Sequence, residues 1–239
     1  MNFDFFNQIN KMEEKRRYIQ SKPNTLWQLI EANPDKPWNW RGVSLNPNIT
    51  MEIINSHPDK PWDWAEVSKN PNITMEMINS HPDKPWDWAE VSKNPNITME
   101  MINSHPDKPW DWNYISINSY TTIKIIAENP TLPWNWLYMS SNYNLTIEFV
   151  KNNIDKNWDW DCISENPNID IIDIKNNPTL PWGWRRGVSY NPNITICFIK
   201  ENLDKNWDWV VLSLHRNITM LDIKNNPTLP WDWKLVSAS

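Results

Sequence analysis

The chain has 239 residues and a net charge of −6, with 39% hydrophobic residues that include 19 Trp, beside 20 Pro and only three Gly. An acidic balance gives no electrostatic pull toward nucleic acid or an anionic membrane, and two cysteines cannot build a disulfide framework. The mean hydropathy of −0.71 leans toward a poorly buried chain. The tryptophans oppose that, because each removes roughly 200 Å² from water when buried. Three glycines leave few sharp turns, which disfavours a hairpin-rich β protein.

In chain order, residues 1–22 come first. Phe3, Phe6, Ile9 and Met12 fall near helical spacing, with Lys11 and the Glu13–Arg17 charges toward the far side. This predicts an amphipathic N-terminal helix, read as a cap over the first repeat, with a docking helix as the alternative. The segment lacks the apolar core of a signal peptide, and no stretch approaches the ~20 apolar residues of a membrane span. These features point to an intracellular, reduced setting.

Residues 23–37 read as a degenerate half-repeat with Trp27, Leu29 and Ile30 as its core. A tandem array then runs to residue 239. Its Trp-x-Trp pairs begin at Trp38, Trp62, Trp86, Trp110, Trp134, Trp158, Trp182, Trp207 and Trp231, a 24-residue period with one step of 25. The extra residue lies in Trp184-Arg185-Arg186-Gly187-Val188, where Trp40-Arg41-Gly42-Val43 stands earlier. That junction is expected to absorb a bulge or an extra turn residue.

The clearest unit runs from Pro61 to Lys84 and splits into two short elements. The first is predicted to start at Thr74 as N-cap, with Glu76 in its first turn, and to stop near His81 because Pro82 disfavours helix before it. The second is predicted to start at Pro85 as first helical residue, with a D-x-x-E capping box (Asp87 and Glu90, as Asp63 and Glu66), and to end before Asn94-Pro95. It is short enough to be 3₁₀. Alternation of Ile73, Met75 and Met77 is the strand-like rival, opposed by Met, Glu and two prolines per repeat.

The string VSKNPNITMEMINSHPDKPW resembles the leucine-rich repeat variant, a bacterial 24-residue unit. The period, the Asn-Pro, the Thr and the apolar helix positions align over residues 40–239. The resemblance implies an all-α, right-handed superhelical solenoid alternating a short α-helix with a short α or 3₁₀ helix. Trp-x-Trp stands where that family has small and charged residues, and no cysteine cluster precedes the array, so no redox role carries over. The Trp-x-Trp signature with Asn, Ile and Lys bias also looks like the multicopy repeat proteins of giant DNA viruses of amoebae. That implies an origin in an infected host cell or a virion, and no particular activity.

Equivalent residues of a solenoid form ladders whose rungs lie about 10 Å apart. His57, His81 and His105 therefore cannot share one metal ion, whose ligand bonds are near 2 Å, and read as helix C-terminal caps. Asp59, Asp83 and Asp107, followed by Lys60, Lys84 and Lys108, read as exposed turn charges. Asp63, Asp87, Asp111, Asp159, Asp208 and Asp232 repeat too evenly for one acid–base site and read as caps. Asn46, Asn70, Asn94, Asn118, Asn142, Asn166 and Asn191 are expected to satisfy backbone groups of the turn and a neighbouring unit. Copies that lose the following Pro, at Ser119 and Tyr143, should have looser turns.

The Trp pair leaves two readings open. Residues i and i+2 point about 200° apart on a helix. Both rows are then buried against different layers, or one forms an outward stripe that docks a partner. The row Trp62, Trp86, Trp110, Trp134, Trp158 and Trp182 is the candidate stripe, with Trp64, Trp88 and Trp112 turned inward. No catalytic, cofactor or metal motif occurs. The expectation is a non-enzymatic scaffold for protein–protein interaction. A self-assembling structural component, stacking through its C-terminal end, is the alternative; a carbohydrate or nucleic-acid binder using exposed Trp stands third.

Overall fold

A computed structural model describes residues 25–237. The expected N-terminal helix over residues 1–22 lies outside the described residues. The chain divides into two compact units, one up to residue 120 and one from residue 121. Among the described residues there are helices and no strand, and successive helices begin about every 12 residues.

In the first unit a helix at Thr25–Ala32 precedes the repeats. First helices lie at Met51–Ser56, Met75–Ser80 and Met99–Ser104, and second helices at Trp40–Leu45, Trp64–Ser68, Trp88–Lys93 and Trp112–Ile117. The second unit has first helices at Ile123–Glu128, Ile147–Asn152, Ile171–Asn176, Ile196–Glu201 and Met220–Asn225. Its second helices are Trp136–Met139, Trp160–Glu165, Trp209–Leu212 and Trp233–Val236, with a 3₁₀ turn at Val188–Tyr190.

Each first helix is bounded by its own side chains. Thr74 Oγ1 accepts the Met77 N–H (3.4 Å), as Thr50, Thr98, Thr122, Thr146 and Thr195 do in their repeats. At the other end His81 caps twice: its N–H donates to Ile78 O (3.0 Å) and its Nδ1 meets Met77 O (3.0 Å). Asn takes this place in other repeats. Asn153 Nδ2 donates to Phe149 O (2.9 Å) and Asn226 Nδ2 to Asp222 O (2.7 Å). Helices of six residues are too short to stand alone, so these caps hold ends that packing then stabilises.

The second helix starts three residues later than the Pro85 prediction, at Trp88. Trp86 N–H turns back to Lys84 O at 2.9 Å. Pro85 is thus the centre of a three-residue γ-turn, whose φ matches the angle a proline ring imposes. Asp87 is the N-cap, accepting Ala89 N–H (3.1 Å) and Glu90 N–H (3.2 Å). The reciprocal half of the expected box is absent, because the N–H of Asp87 is already given to Ser68 Oγ of the preceding repeat (2.9 Å). Glu66 turns instead to Arg41 (2.8 Å) and Lys69 (2.9 Å), whose cations hold its carboxyl below the usual range, the Lys69 bond most of all. Reciprocal boxes occur at Asp170 with Asp173 and at Thr219 with Asp222, on first helices.

Within each unit three polar ladders tie a repeat to the one before it. The serine four residues after the second Trp donates back to that Trp's carbonyl and accepts the next repeat's N-cap N–H. For Ser140 these contacts are Trp136 O (2.9 Å) and Asp159 N (2.8 Å). The expected Asn ladder is the second tie. Asn94 Oδ1 accepts Asn96 N–H (2.9 Å), and its Nδ2 donates to Asn70 O (3.1 Å). The other Asn of Asn-Pro-Asn is the third: Asn96 Nδ2 donates to Pro71 O (2.7 Å), and Asn193 Nδ2 to Pro167 O (2.8 Å). A buried carbonyl without a donor costs about 1–3 kcal/mol, so the ladders are what permit loop backbone to be buried. Loss of the proline loosens only one turn. At Ser119 the Tyr120 N–H reaches Asn118 Oδ1 at 3.5 Å, whereas Asn144 N–H, beyond Tyr143, reaches Asn142 Oδ1 at 2.7 Å.

The extra residue of the 25-residue step is absorbed where expected, as a widened turn. Val188 N–H donates to Gly183 O (2.8 Å) and Ser189 N–H to Trp184 O (3.0 Å), both spanning five residues. Ser189 and Asn191 thereby stay on their ladders. The turn presses on the repeat before it. A Cβ on Gly187 would sit 2.5 Å from Asp161 O and 2.5 Å from Ser164 Cβ, whereas one on Gly42 meets the Asn39 side chain, no closer than 3.4 Å. Gly187→Ala is therefore expected to destabilise by about 1–3 kcal/mol through forced overpacking. Gly42→Ala should be neutral or stabilising, since Ala suits a helix better. Urea midpoints of the two variants against the parent check the contrast.

The last Asn rung is a histidine. His215 Nε2 lies 3.2 Å from Asn191 O, and Asn217 N–H lies 3.2 Å from His215 Nδ1. Both contacts are met by the neutral ring, with Nε2–H donating and Nδ1 accepting. Burial lowers the pKa of His215 below 6.5; Arg216 adds to this and the Asn191 carbonyl opposes it. The folded state thus favours the neutral form. Stability is full above the unfolded pKa of about 6.5 and falls as the pH drops through that value toward the folded one. His215→Asn is expected to remove this loss. Urea midpoints at neutral pH and near pH 5 should draw apart for the parent, with a smaller separation for the variant.

Candidate binding surface

The two Trp rows do different jobs. The first Trp closes the end of the first helix. Its Nε1–H donates to the carbonyl of the cap residue five positions earlier, as Trp86 to His81 O (2.9 Å) and Trp182 to Asn177 O (2.8 Å). Its ring meets the second Trp of the preceding repeat edge to face. Trp64 and Trp86 are 5.1 Å apart at 79°, and Trp184 and Trp207 are 5.1 Å apart at 85°. Such pairs add about 0.5–1.5 kcal/mol beyond area burial.

This geometry overturns the expected stripe. Trp62, Trp86, Trp110, Trp134, Trp158 and Trp182 are all buried, at 8% exposure or less. Trp64, Trp88 and Trp112, expected to turn inward, are half-buried. The helical-wheel argument failed because only the second Trp is helical. The first belongs to the γ-turn before the helix, so both rings reach the same layer. The second row is also partly covered. Lys84 Nζ lies over Trp64 at 5.6 Å and Lys205 Nζ over Trp184 at 5.6 Å. Shallow clefts lie beside this row at two junctions, about 250 Å³ at Trp88 with Pro82 and Lys108, and about 310 Å³ at Trp184 with Pro178 and Lys205.

The other candidate residues are placed as follows. Asp63, Asp87, Asp111, Asp159, Asp208 and Asp232 cap second helices. His57, His81 and His105 are the C-caps of first helices. Asp59, Asp83 and Asp107 are fully exposed; the hydrogen bond from the neighbouring Lys60, Lys84 or Lys108 is the main cause holding each carboxyl below its usual value. Among the described residues no three His, Cys, Asp or Glu side chains converge as metal ligands. Burial pushes the Cys162 thiol up to about 12, while Cys197 is exposed. Among the described residues, no helix is long and apolar enough to cross a membrane.

Two ladders were missed from the sequence: the serines and the second Asn of Asn-Pro-Asn. Their signal was present. A serine follows the second Trp by four residues in every repeat but the one with the extra residue, where Ser189 follows by five, and an apolar residue always precedes it, which is where a buried hydroxyl with a fixed partner belongs.

What differs from rung to rung faces outward. The second residue of the first helix is Glu52, Glu76 and Glu100 in the first unit, then Lys124, Glu148, Ile172, Cys197 and Leu221 in the second, all exposed. The fifth is Asn55, Asn79 and Asn103, then Ala127, Lys151, Lys175, Lys200 and Lys224, again exposed. The chain matches no known protein family, no curated protein and no solved structure.

Proposed function

We propose that this protein is a non-enzymatic repeat scaffold that binds proteins along the outward face of its first helices. The observation that carries the reading is the division of labour within each repeat. Buried Ser, Asn and Trp are spent on recurring ties between repeats, and the outward positions change on that frame from Glu and Asn in the first unit to mixed Lys, Glu, Ile, Cys and Leu in the second. A fixed frame with a variable face is how repeat proteins present binding surfaces. The titratable groups support it too, since the Asp and His ladders are engaged in caps.

On this reading the repeats follow one another in a right-handed superhelix like that of the leucine-rich repeat variant. The Trp-x-Trp signature and the Asn, Ile and Lys bias support an origin among giant-virus repeat proteins acting inside an infected cell or virion. The test is capture by the immobilised full chain from the native cell, read by quantitative mass spectrometry beside an Ile172→Glu/Leu221→Glu variant of unchanged circular dichroism. A discrete protein set retained by the parent and lost by the variant is expected. The same set retained by both would end the proposal for this face.

A further inference from the structure

Asn48-Ile49-Thr50 is an Asn-x-Thr triplet, the acceptor sequence for N-linked glycan. The triplet returns at the same place in five more repeats, beginning at Asn72, Asn96, Asn144, Asn193 and Asn217. On sequence alone such triplets mark surface loops of a secreted chain. In the fold all three residues have other work. The Asn reaches the repeat before it. Asn72 Nδ2 donates to Pro47 O (2.6 Å), Asn96 Nδ2 to Pro71 O (2.7 Å), Asn144 Nδ2 to Thr121 O (3.3 Å) and Asn193 Nδ2 to Pro167 O (2.8 Å). Asn217 Nδ2 reaches two carbonyls, Pro192 O (2.6 Å) and Ile194 O (3.3 Å). The middle residue is core: Ile49, Ile73, Ile97, Leu145, Ile194 and Ile218 are all buried. The Thr is the N-cap of the first helix, as Thr50 for the Ile53 N–H and Thr219 for the Asp222 N–H.

We infer that folding and glycosylation exclude one another at these triplets, so that the repeats form only in a compartment without N-glycan transfer. Transfer bonds Asn Nδ2 to the anomeric carbon of a sugar. That carbon's bond to the phosphate oxygen of a lipid-linked diphosphate donor breaks, and one amide proton leaves with the diphosphate. The reaction needs the Asn amide and the Thr hydroxyl on an accessible segment. In the folded repeat that segment is pinned at its centre by a buried Ile or Leu, so the folded chain is no acceptor. In the unfolded chain the same triplet is free to react. A bulky group then sits on the nitrogen that must come within 2.6–2.8 Å of the preceding repeat at Asn72, Asn96, Asn193 and Asn217. The sugar either replaces the donated hydrogen or crowds the carbonyl beside it, and the turn behind it does not close.

One repeat does without the triplet. Asn168-Ile169-Asp170 keeps the tie to Tyr143 O, the buried Ile and a side-chain cap, Asp170 accepting the N–H groups of Ile172 (2.7 Å) and Asp173 (3.0 Å), yet it is no acceptor. The Asn-Pro-Thr strings at Asn129, Asn177 and Asn226 are none either, because proline stands in the middle. Proteins that meet the outward face are accordingly those outside a glycan-transferring lumen. Glycan incompatibility comes from the ties alone and holds whatever that face binds.

The test expresses the full chain in the cytosol of cultured eukaryotic cells and, behind an added signal peptide, in their endoplasmic reticulum. Beside it stands a variant that copies the Asp170 solution and removes every acceptor triplet: Thr50→Asp, Thr74→Asp, Thr98→Asp, Thr146→Asp, Thr195→Asp and Thr219→Asp. Gel mobility before and after endoglycosidase treatment reads the glycans, and limited proteolysis reads the fold. In the cytosol parent and variant should resist protease alike. In the lumen the parent should gain glycans and be cleaved roughly tenfold faster than in the cytosol, because cleavage follows the population of the open chain. The variant should gain none and keep its resistance. Blocking synthesis of the lipid-linked donor should restore the resistance of the lumenal parent, which decides the matter even where the six substitutions together prevent folding. A lumenal parent that carries glycans at the triplets and is as resistant as the cytosolic one would overturn the proposal. So would a lumenal parent that folds without gaining glycans, or one that stays cleavable when donor synthesis is blocked.

Discussion

Trp158→Ala is expected to lower the unfolding free energy by about 3–5 kcal/mol, the range for removing a large buried aromatic. Trp158 is 7% exposed, meets Trp136 edge to face at 5.1 Å and Phe149 at 6.3 Å, and donates its Nε1–H to Asn153 O at 2.8 Å. The loss removes a ring from a repeat junction and takes one of two donors from the carbonyl of a helix cap, leaving the Lys156 N–H at 3.1 Å. Trp158→Phe separates the two effects. It keeps most of the apolar contact and removes one of two donors to Asn153 O, which still accepts the Lys156 N–H at 3.1 Å, and should cost about 0.5–1.5 kcal/mol. Trp233→Ala is the control, because that ring is 52% exposed, and its effect should be far smaller. Urea unfolding ranks the three variants. Hydrogen exchange should show the Trp158→Ala loss concentrated at Ile147–Asn152 and Trp160–Glu165, the helices on either side of the missing ring. An effect of Trp233→Ala equal to that of Trp158→Ala would refute the assignment of the first row to the interior.

Local chain chemistry made much of this architecture readable in advance. The period, the helical character, the Thr74 cap and the stop at His81 follow from residues within a few positions of one another. The same holds for the tolerance of an extra residue after Trp184. What stayed hidden depends on partners about one repeat away. Pro85 reads as a helix opener in isolation. It becomes a γ-turn centre because Asp87 gives its N–H to Ser68 and so fixes where the helix begins. The identity of the inward Trp row follows from that displacement, since a helical wheel drawn from Pro85 assigns both rings to one helix. The outward face was legible only as residue types. Its change from a row of Glu in the first unit to mixed Lys, Glu and apolar residues in the second becomes visible once the exposed positions of the first helices are known.

Asn166→Leu isolates the ladder that lets loop backbone be buried. Asn166 is 2% exposed, and its Nδ2 donates to Asn142 O (2.9 Å) and Ser140 O (3.3 Å) while its Oδ1 accepts Asn168 N–H (3.0 Å). Leucine fills similar space and supplies none of these, leaving the Ser140 carbonyl and the Asn168 N–H without partners, while Asn142 O keeps the Leu145 N–H at 3.1 Å. At about 1–3 kcal/mol for each unmet group, the loss should be on the order of 2 kcal/mol or more. Asn166→Asp keeps the acceptor but points a carboxylate at two carbonyls. Its folded pKa should rise, so its stability is greatest at low pH and is lost as the pH climbs through the unfolded value near 3.9. Asn166→His should retain the most. His215 already fills the same rung with one nitrogen donating backward to Asn191 O and the other accepting Asn217 N–H two residues ahead. The requirement of the rung is therefore a donor aimed at the preceding repeat and an acceptor aimed along its own chain, whatever side chain carries them. Urea midpoints near pH 7 should place His above both Asp and Leu. A leucine variant as stable as the parent would show that the Ser140 carbonyl finds another donor and that the Asn ladder does not hold the repeats together.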